Sequence, residues 1–571
     1  MPNTTCYRAI ACALCLASVA APTAAQRVEQ MIHAKPVLVS GSMDATTIFY
    51  QASGITPRYP SFNYVVTGSP VISVYGWSIP FSFVIGKEQN SFSQPFNQIG
   101  LSPTYKWITI HAGYRNLSFS PYTLAGHTFL GGGVELNPGK FRFAFIYGRF
   151  NRATPLDTAE RLYFSSFSYR RTGMSVKIGY GSSNNYIDLI ALKAKDDPSS
   201  LNQGKGPADS LGIAPAENTV TGYTIHLTLW KQVLSLESNG ALSLYTTDVN
   251  APRIQDSSYG KDVKKVDDLV TVRTSSELYG AFDAAIRYRT RNFSLRLQYR
   301  HIDPGYQSMG AYFLNNDLEN YTFSPSLTLF RHRLRFSGSL GLQKDDLAGN
   351  KRARSHKTIG SANLTAEITE RLGADLSFTN YSINQTVKTL RFADSLKVVE
   401  SSRQFAFSPR YMISGATVSH SILASANICQ ARELNPARTD SLGADIDTYN
   451  YLVNYQLGLI QQQAAFTLCL NHTEMKGAGL TDGNQGATLG GSKTWEKGKL
   501  IVSANAGYLL SKRNEEKGRI LTGSFQLRYR LFKGHALHLM AYYTDNTPDH
   551  PTSYYPKYTE TRAEAGYGFS F

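Results

Sequence analysis

Residues 562–571 read Arg-Ala-Glu-Ala-Gly-Tyr-Gly-Phe-Ser-Phe, and every second one is apolar: Ala563, Ala565, Tyr567, Phe569 and Phe571 alternate with Arg562, Glu564, Gly566, Gly568 and Ser570. Successive side chains of a strand point to opposite faces, so such a ribbon has one face suited to hydrocarbon and one suited to water. The pattern recurs upstream. Phe525, Leu527, Tyr529 and Leu531 alternate with Ser524, Gln526, Arg528 and Arg530; Phe293, Leu295, Leu297 and Tyr299 alternate with Ser294, Arg296, Gln298 and Arg300; Leu364, Ala366 and Ile368 alternate with Asn363, Thr365 and Glu367.

A soluble sandwich also alternates, so the connections have to decide what lies outside. From residue 278 onward tight links near 290–292, 331–333, 369–371, 413–415, 461–463, 497–499 and 533–534 alternate with longer polar ones. The longer links fall near 303–319, 344–356, 385–403, 431–448, 475–485, 512–518 and 545–560. Turns on one side and loops on the other are the layout of a membrane-spanning barrel, and strands of about 9 to 12 residues suit a tilted crossing. Counting by this rule predicts about 15 strands after residue 278. Further strands at 104–113, 127–136, 141–150, 162–170, 174–181, 186–195, 219–229 and 233–246, with others between 37 and 86, bring the total to roughly 22 to 26. The predicted fold class is therefore all-β, a single large antiparallel barrel.

The chain has 571 residues, with Lys+Arg 58 against Asp+Glu 42 and a formal charge of +16. Mean hydropathy is −0.26. A negative value with no apolar run of about 18 residues excludes a bundle of membrane helices but not a barrel. Basic residues are spread by strand parity instead of forming one stripe, which argues against nucleic-acid binding.

Residues 1–25 carry Arg8, the apolar run 9–21 and then Pro22, Thr23, Ala24 and Ala25, the order of a secretory signal peptide cleaved after Ala25. Three of five cysteines lie within it; Cys429 and Cys469 remain and are expected to stay reduced. The signal together with Tyr567, Phe569 and Phe571 resembles the outer-membrane β-barrel proteins of Gram-negative bacteria. The resemblance implies residence in the cell outer membrane with its lipid as surroundings. It also implies Tyr567, Phe569 and Phe571 as the C-terminal signal read by the barrel-assembly machinery, with short turns in the periplasm and long loops outside.

Residues 26–130 are rich in aromatics, Pro and Gly (Trp77, Pro80, Pro95, Phe96, Pro103, Trp107, Pro121), and residues 131–571 form the rest of the barrel. Two readings of 26–130 stay open: first wall strands with interfacial aromatics, or a part that folds into the lumen. A barrel of about 22 strands needs some obstruction. The loop Pro304 to Asn320, with Tyr306, Met309, Tyr312 and Phe313, is too apolar to be simply solvated and is a second candidate.

Polar parity assigns Arg287, Arg289, Arg296, Arg335, Arg410, Arg528 and Arg530 to the lumen near tight turns, hence toward the periplasmic mouth. Either they form a basic ring that attracts anionic solutes or an acidic partner, or they pair with lumen acids such as Asp283, Glu367 and Asp375 or meet lipid phosphates at the rim. No cofactor or metal signature is present. The run 490–494 lacks the Gly before Lys of a phosphate loop, Asp440, Asp445 and Asp447 lack the Gly and distal Glu of a calcium loop, and the wall candidates for a hydrolase are His420 with Ser419 or Ser421, His226 with Thr224 or Thr228, and His538. No catalytic residue is expected. Two functions remain: a porin-like or partner-gated passage for polar solutes, or a closed barrel serving as a structural subunit of a periplasmic or outer-membrane protein complex for secretion or assembly.

Overall fold

The computed structural model describes residues 37–75, 77–86, 98–154, 168–201, 214–254, 270–312, 314–351, 353–387, 399–435, 445–477, 479–553 and 555–571. The predicted leader with Ala25, the first part of the strand expected at 162–170, and Phe313 lie outside them.

Among the described residues 29 strand segments form one sheet. Three are continuations across an interruption, so the wall counts 26 strands. These are Val37–Ser40 with Ser42–Ser53, Phe62–Gly68 with Val71–Val74, and Gln98–Leu101 with Thr104–Tyr105. Each strand pairs antiparallel with its chain neighbours. The first meets the last, Ser42 opposite Ser570 through Ser53 opposite Thr559, which closes the ring. A ring of this size, with strands about 4.8 Å apart and tilted about 40°, has a backbone diameter of roughly 50 Å if circular.

At the seam the Gly41 amide donates to the Phe571 carbonyl (3.0 Å) and the Phe571 amide returns the bond (3.1 Å). Gly41 has φ +139°, and a Cβ there would stand 2.6 Å from the Ser69 carbonyl oxygen. Only glycine lets the two interrupted strands approach here.

Cross-strand pairs fix which parity faces outward. Leu489 is opposite Leu468, and Leu527 is opposite both Val502 and Leu539, so apolar residues meet apolar residues around the wall. Leu189 and Leu489 are each 64% exposed and Leu278 is 65% exposed, a surface that water alone would not tolerate at this extent. The opposite parity carries Ser, Thr, Asn, Arg, Asp and Glu. Aromatic residues gather on the outer face near the turns, where His535 stacks on Phe569 (4.3 Å) and Phe569 packs on Phe571 (4.9 Å).

Three expectations from sequence need correction. The long links expected at 475–485 and 512–518 are short hairpins, because Ala464–Gly477 and Leu480–Trp495 stay paired to Gly477 opposite Leu480, and Leu500–Arg513 with Glu516–Phe532 to Arg513 opposite Glu516. Strand pairing continues beyond the apolar band, where polar residues suffice on both faces. The strand expected at 104–113 contains a turn: Thr104 faces Thr109 and Lys106 adopts φ +51°.

An arginine replacing Leu489 is expected to destabilise the folded barrel by about 2–4 kcal/mol, whereas one replacing its lumen-facing neighbour Thr488 costs less than about 1 kcal/mol. Urea unfolding in lipid vesicles measures both, and equal costs would contradict the assigned parity.

Candidate functional site in the barrel lumen

The buried core does not lie in a sandwich or a separate plug. It lies against one side of the inner wall, where Ala144, Ile146, Phe150, Ile190, Leu192, Ala194, Val220, Ala241 and Ala281 are buried. Two connections cover them. One is the turn Phe119 to Leu124; the other is the loop from Asp303 to Asp317, joining Phe293–Ile302 to Leu318–Leu329.

Tyr306 and Leu124 are fully buried, and Tyr122 and Met309 nearly so. The buried polar groups of the loop find wall and turn partners, as burial requires. Tyr306 Oη donates to the Tyr122 carbonyl (2.7 Å), Ser308 Oγ to the Thr123 carbonyl (2.6 Å) and Ser243 Oγ to the Gln307 carbonyl (2.7 Å). The Met309 amide donates to Asn218 Oδ1 (3.0 Å) and the Ala125 amide to the Gly310 carbonyl (2.9 Å). Gly310 has no room for a side chain, since a Cβ would lie 2.5 Å from Leu192 Cδ1 and 2.6 Å from the Thr123 oxygen. Tyr312 stacks on His127 (4.1 Å), and His127 on Phe150 (5.1 Å). Burial raises the Tyr306 phenol far above its ordinary value, which keeps it a neutral hydrogen-bond donor. The loop is thus a packed partial plug, and Tyr306, Met309 and Tyr312, three of the residues singled out between Pro304 and Asn320, help to seat it.

On the turn side of this core runs a belt of charged and aromatic side chains. His111 contacts Ser102 (Nδ1, 2.8 Å) and Glu135 (Nε2, 3.0 Å). Arg142 donates to both oxygens of buried Asp188 (2.8 and 2.9 Å) and lies 4.0 Å over the Tyr186 ring. Tyr186 stacks on His226, His226 lies 3.9 Å from Glu237, and Glu237 takes Arg296 at 2.9 Å. Sequence reasoning singled out only Arg296 and His226 of this belt and did not connect them. Its members share lumen parity, but only the register brings them together.

All seven arginines lie on strands with the parity assigned to the lumen, near the tight turns. Arg287 stands directly opposite Arg296. Arg410 is paired with Glu367 and Asp375, and Arg296 with Glu237. Among the described residues, Arg287, Arg289, Arg335, Arg528 and Arg530 form no ion pair. Asp283, offered as an arginine partner, instead accepts from Asn239 Nδ2 (3.3 Å). They occupy an arc on part of the wall and not a complete ring.

Of the three histidines, His420 has outer parity and contacts Tyr455 Oη (2.8 Å), which separates it from Ser419 and Ser421 on the inner face. His538 contacts Thr46 (3.2 Å) across the seam. Cys429 and Cys469 are free; they face the lumen on strands separated by Ile446–Leu459, opposite Thr448 and Asn454 respectively.

A closed strand wall, apolar outside and polar within, is what a lipid bilayer demands of a spanning sheet. The chain is built as a closed, membrane-spanning β-barrel. No protein-family model and no curated protein matches it. Among solved structures it is similar to the P pilus usher PapC translocation pore at 9% identity and a TM-score of 0.35, over 93% of this chain and 99% of that one. It is similar to the E. coli P pilus tip assembly intermediate PapC-PapD-PapK-PapG at 10% identity and a TM-score of 0.42, over 92% of this chain and 60% of that one. Acinetobacter baumannii OccAB4 aligns at 11% identity and a TM-score of 0.29, over 70% of this chain and 98% of that one. The likeness is one of barrel architecture alone.

Asp317 closes the inserted loop. Burial by itself would raise its carboxyl, but the Lys351 ammonium and the amides of Leu347 (2.8 Å) and Asp346 (3.0 Å) outweigh it and hold the carboxyl below its ordinary range. A depressed carboxyl stabilises fully above its unfolded value of about 3.9 and loses that contribution as pH falls through the folded value. Hydrogen exchange at the Asp346 and Leu347 amides, corrected for intrinsic rates, is expected to stay flat from pH 7 to 5 and rise only in more acid solution. Asp317→Asn should raise it throughout and remove the pH dependence; identical profiles would refute the anchoring role.

Proposed function

We propose that the protein is a channel for polar solutes, with a preference for anions, narrowed but not sealed by the inserted loop. One observation carries this reading. Beyond the packed side, one row across the inner wall consists of small, uncharged and mostly polar residues that stay partly exposed.

Asn363 faces Ser377, Ser377 faces Ala406, Ala406 faces Asn427, Asn427 faces Asn450, Asn450 faces Thr473, and Thr473 faces Asn484. A row without charge or a large apolar side chain across seven strands suits water and hydrated solutes and offers no tight binding site. Anion preference is supported by the unpaired Arg287, Arg289, Arg335, Arg528 and Arg530 at the turn-side mouth, since a basic surface at a constriction raises the local anion concentration. A periplasmic or outer-membrane protein that docks on those arginines would make this passage partner-gated.

Purified barrels in planar bilayers test the proposal. Open conductance with anion selectivity is expected, and the Arg287→Gln, Arg289→Gln, Arg335→Gln triple variant should shift the reversal potential toward cations while leaving the barrel folded. Removal of residues 305–315 should enlarge the conductance. Silent bilayers from correctly folded protein would overturn the channel, and a wild-type preference for cations would overturn the anion assignment.

A further inference from the structure

The outer face of the hairpin formed by Leu500–Arg513 and Glu516–Phe532 carries a concentration of positive charge that the channel does not use. Lys512 and Lys517 are directly opposite one another in the register, and Arg519 follows two residues later on the same face, opposite Leu510. These positions share parity with Tyr508, Leu510, Leu521 and Phe525, all exposed apolar residues of the lipid band. The three cations therefore sit on the outside of the barrel at the loop-side edge of that band. All three are exposed, and among the described residues none forms an ion pair.

Like charges placed directly opposite on one face of a sheet destabilise it. The neighbouring carboxylates do not relieve them. Glu516 contacts His550, Asp482 is paired with Arg513, and Asp545, on the outer face beside Leu521, accepts from Thr547 (2.8 Å). Other outer-face cations of the loop side are matched: Arg432 with Asp447 and Asp445, Lys476 with Glu474, and Arg354 with Asp346. Arg403 and Arg149 lack an ion pair among the described residues but stand singly, and Arg149 donates to Tyr114 Oη (3.3 Å). The surplus gathers on one hairpin.

We propose that Lys512, Lys517 and Arg519 form a binding site for the phosphate of an anionic membrane lipid in the loop-side leaflet. The location supplies the ligand, because the edge of the apolar band is where lipid headgroups lie. Long basic side chains lay their stems along Leu510 and Leu521 and present their heads to that level. An arginine fork and two ammonium groups match the several oxygens of one phosphate. The acyl chains would then cover Tyr508 and Phe525 beneath.

The test uses full-length folded protein in neutral detergent, with retained lipid read by native mass spectrometry. Phosphatidylglycerol and phosphatidylcholine are titrated separately. Wild type is expected to hold phosphatidylglycerol on the order of 100-fold more tightly than the Lys512→Gln, Lys517→Gln, Arg519→Gln variant, with phosphatidylcholine unchanged between them. Asp545→Asn, which removes the nearby negative charge from an otherwise intact site, should tighten phosphatidylglycerol binding by about fivefold. Equal retention by wild type and the triple variant would overturn the site, as would no gain in Asp545→Asn should the triple variant not fold. Displacement of the lipid by an equal concentration of inorganic phosphate would identify a general anion site and overturn the lipid assignment.

Discussion

Every other feature of this molecule depends on the satisfaction of backbone hydrogen bonds where water is absent. A sheet in hydrocarbon leaves several kcal/mol unmet for each unpaired amide or carbonyl, so it must have no edge. Here the last strand is returned to the first along twelve register pairs from Ser42–Ser570 to Ser53–Thr559, and Gly41 and Phe571 exchange hydrogen bonds at its end. Closure then fixes parity around the whole ring. With parity fixed, each strand sends its apolar residues outward and leaves its polar ones to line a cavity.

A ring of 26 strands encloses far more space than side chains can fill. The molecule handles this unevenly. Strands before residue 303 bring alanines, valines and leucines inward and cover them with two connections, so that their side of the lumen is a dry core. Strands after residue 334 carry many Asn, Ser, Thr and Gly inward, with Arg335, Arg410, Arg528 and Arg530 toward the turns, and bury no comparable apolar core among the described residues. The boundary between the two regimes is the loop from Asp303 to Asp317, whose far end is locked to Lys351 and to the amides of Asp346 and Leu347. The charge belt from His111 to Arg296 lies along the turn-side margin of the core, where buried and wet surfaces meet.

The alternation at 562–571, 524–531 and 293–300 was legible because period two is a local property, and the tight turns after residue 278 followed from the same count. The first third was harder to read. Its earliest strands are interrupted at Gly41, at Ser69–Pro70 and at Ser102–Pro103, so few consecutive alternates appear before residue 104, and the turn at Lys106 hides within an apolar run. The polar strands through Gly477 and Arg513 looked like loops because they rise past the apolar band. Arg410 could be matched to Glu367 and Asp375 from sequence because all three flank neighbouring turns. The match of Arg142 to Asp188 could not, since it depends on a register across the intervening strand Arg171–Gly181. Loop insertion was foreshadowed by Tyr306 and Met309, whereas the turn 119–124 that receives it carried no comparable signal.

The central claim is that lipid touches one parity of these strands and lumen water the other. Nitroxide labels placed one at a time on residues 520 to 529 of the reconstituted barrel test it most directly through their collision rates with oxygen and with a water-soluble nickel chelate. The account predicts strict alternation, with oxygen favoured at 521, 523, 525, 527 and 529 and the chelate at the even positions between them. Uniform access of the chelate to both parities, or alternation in the opposite phase, would contradict it.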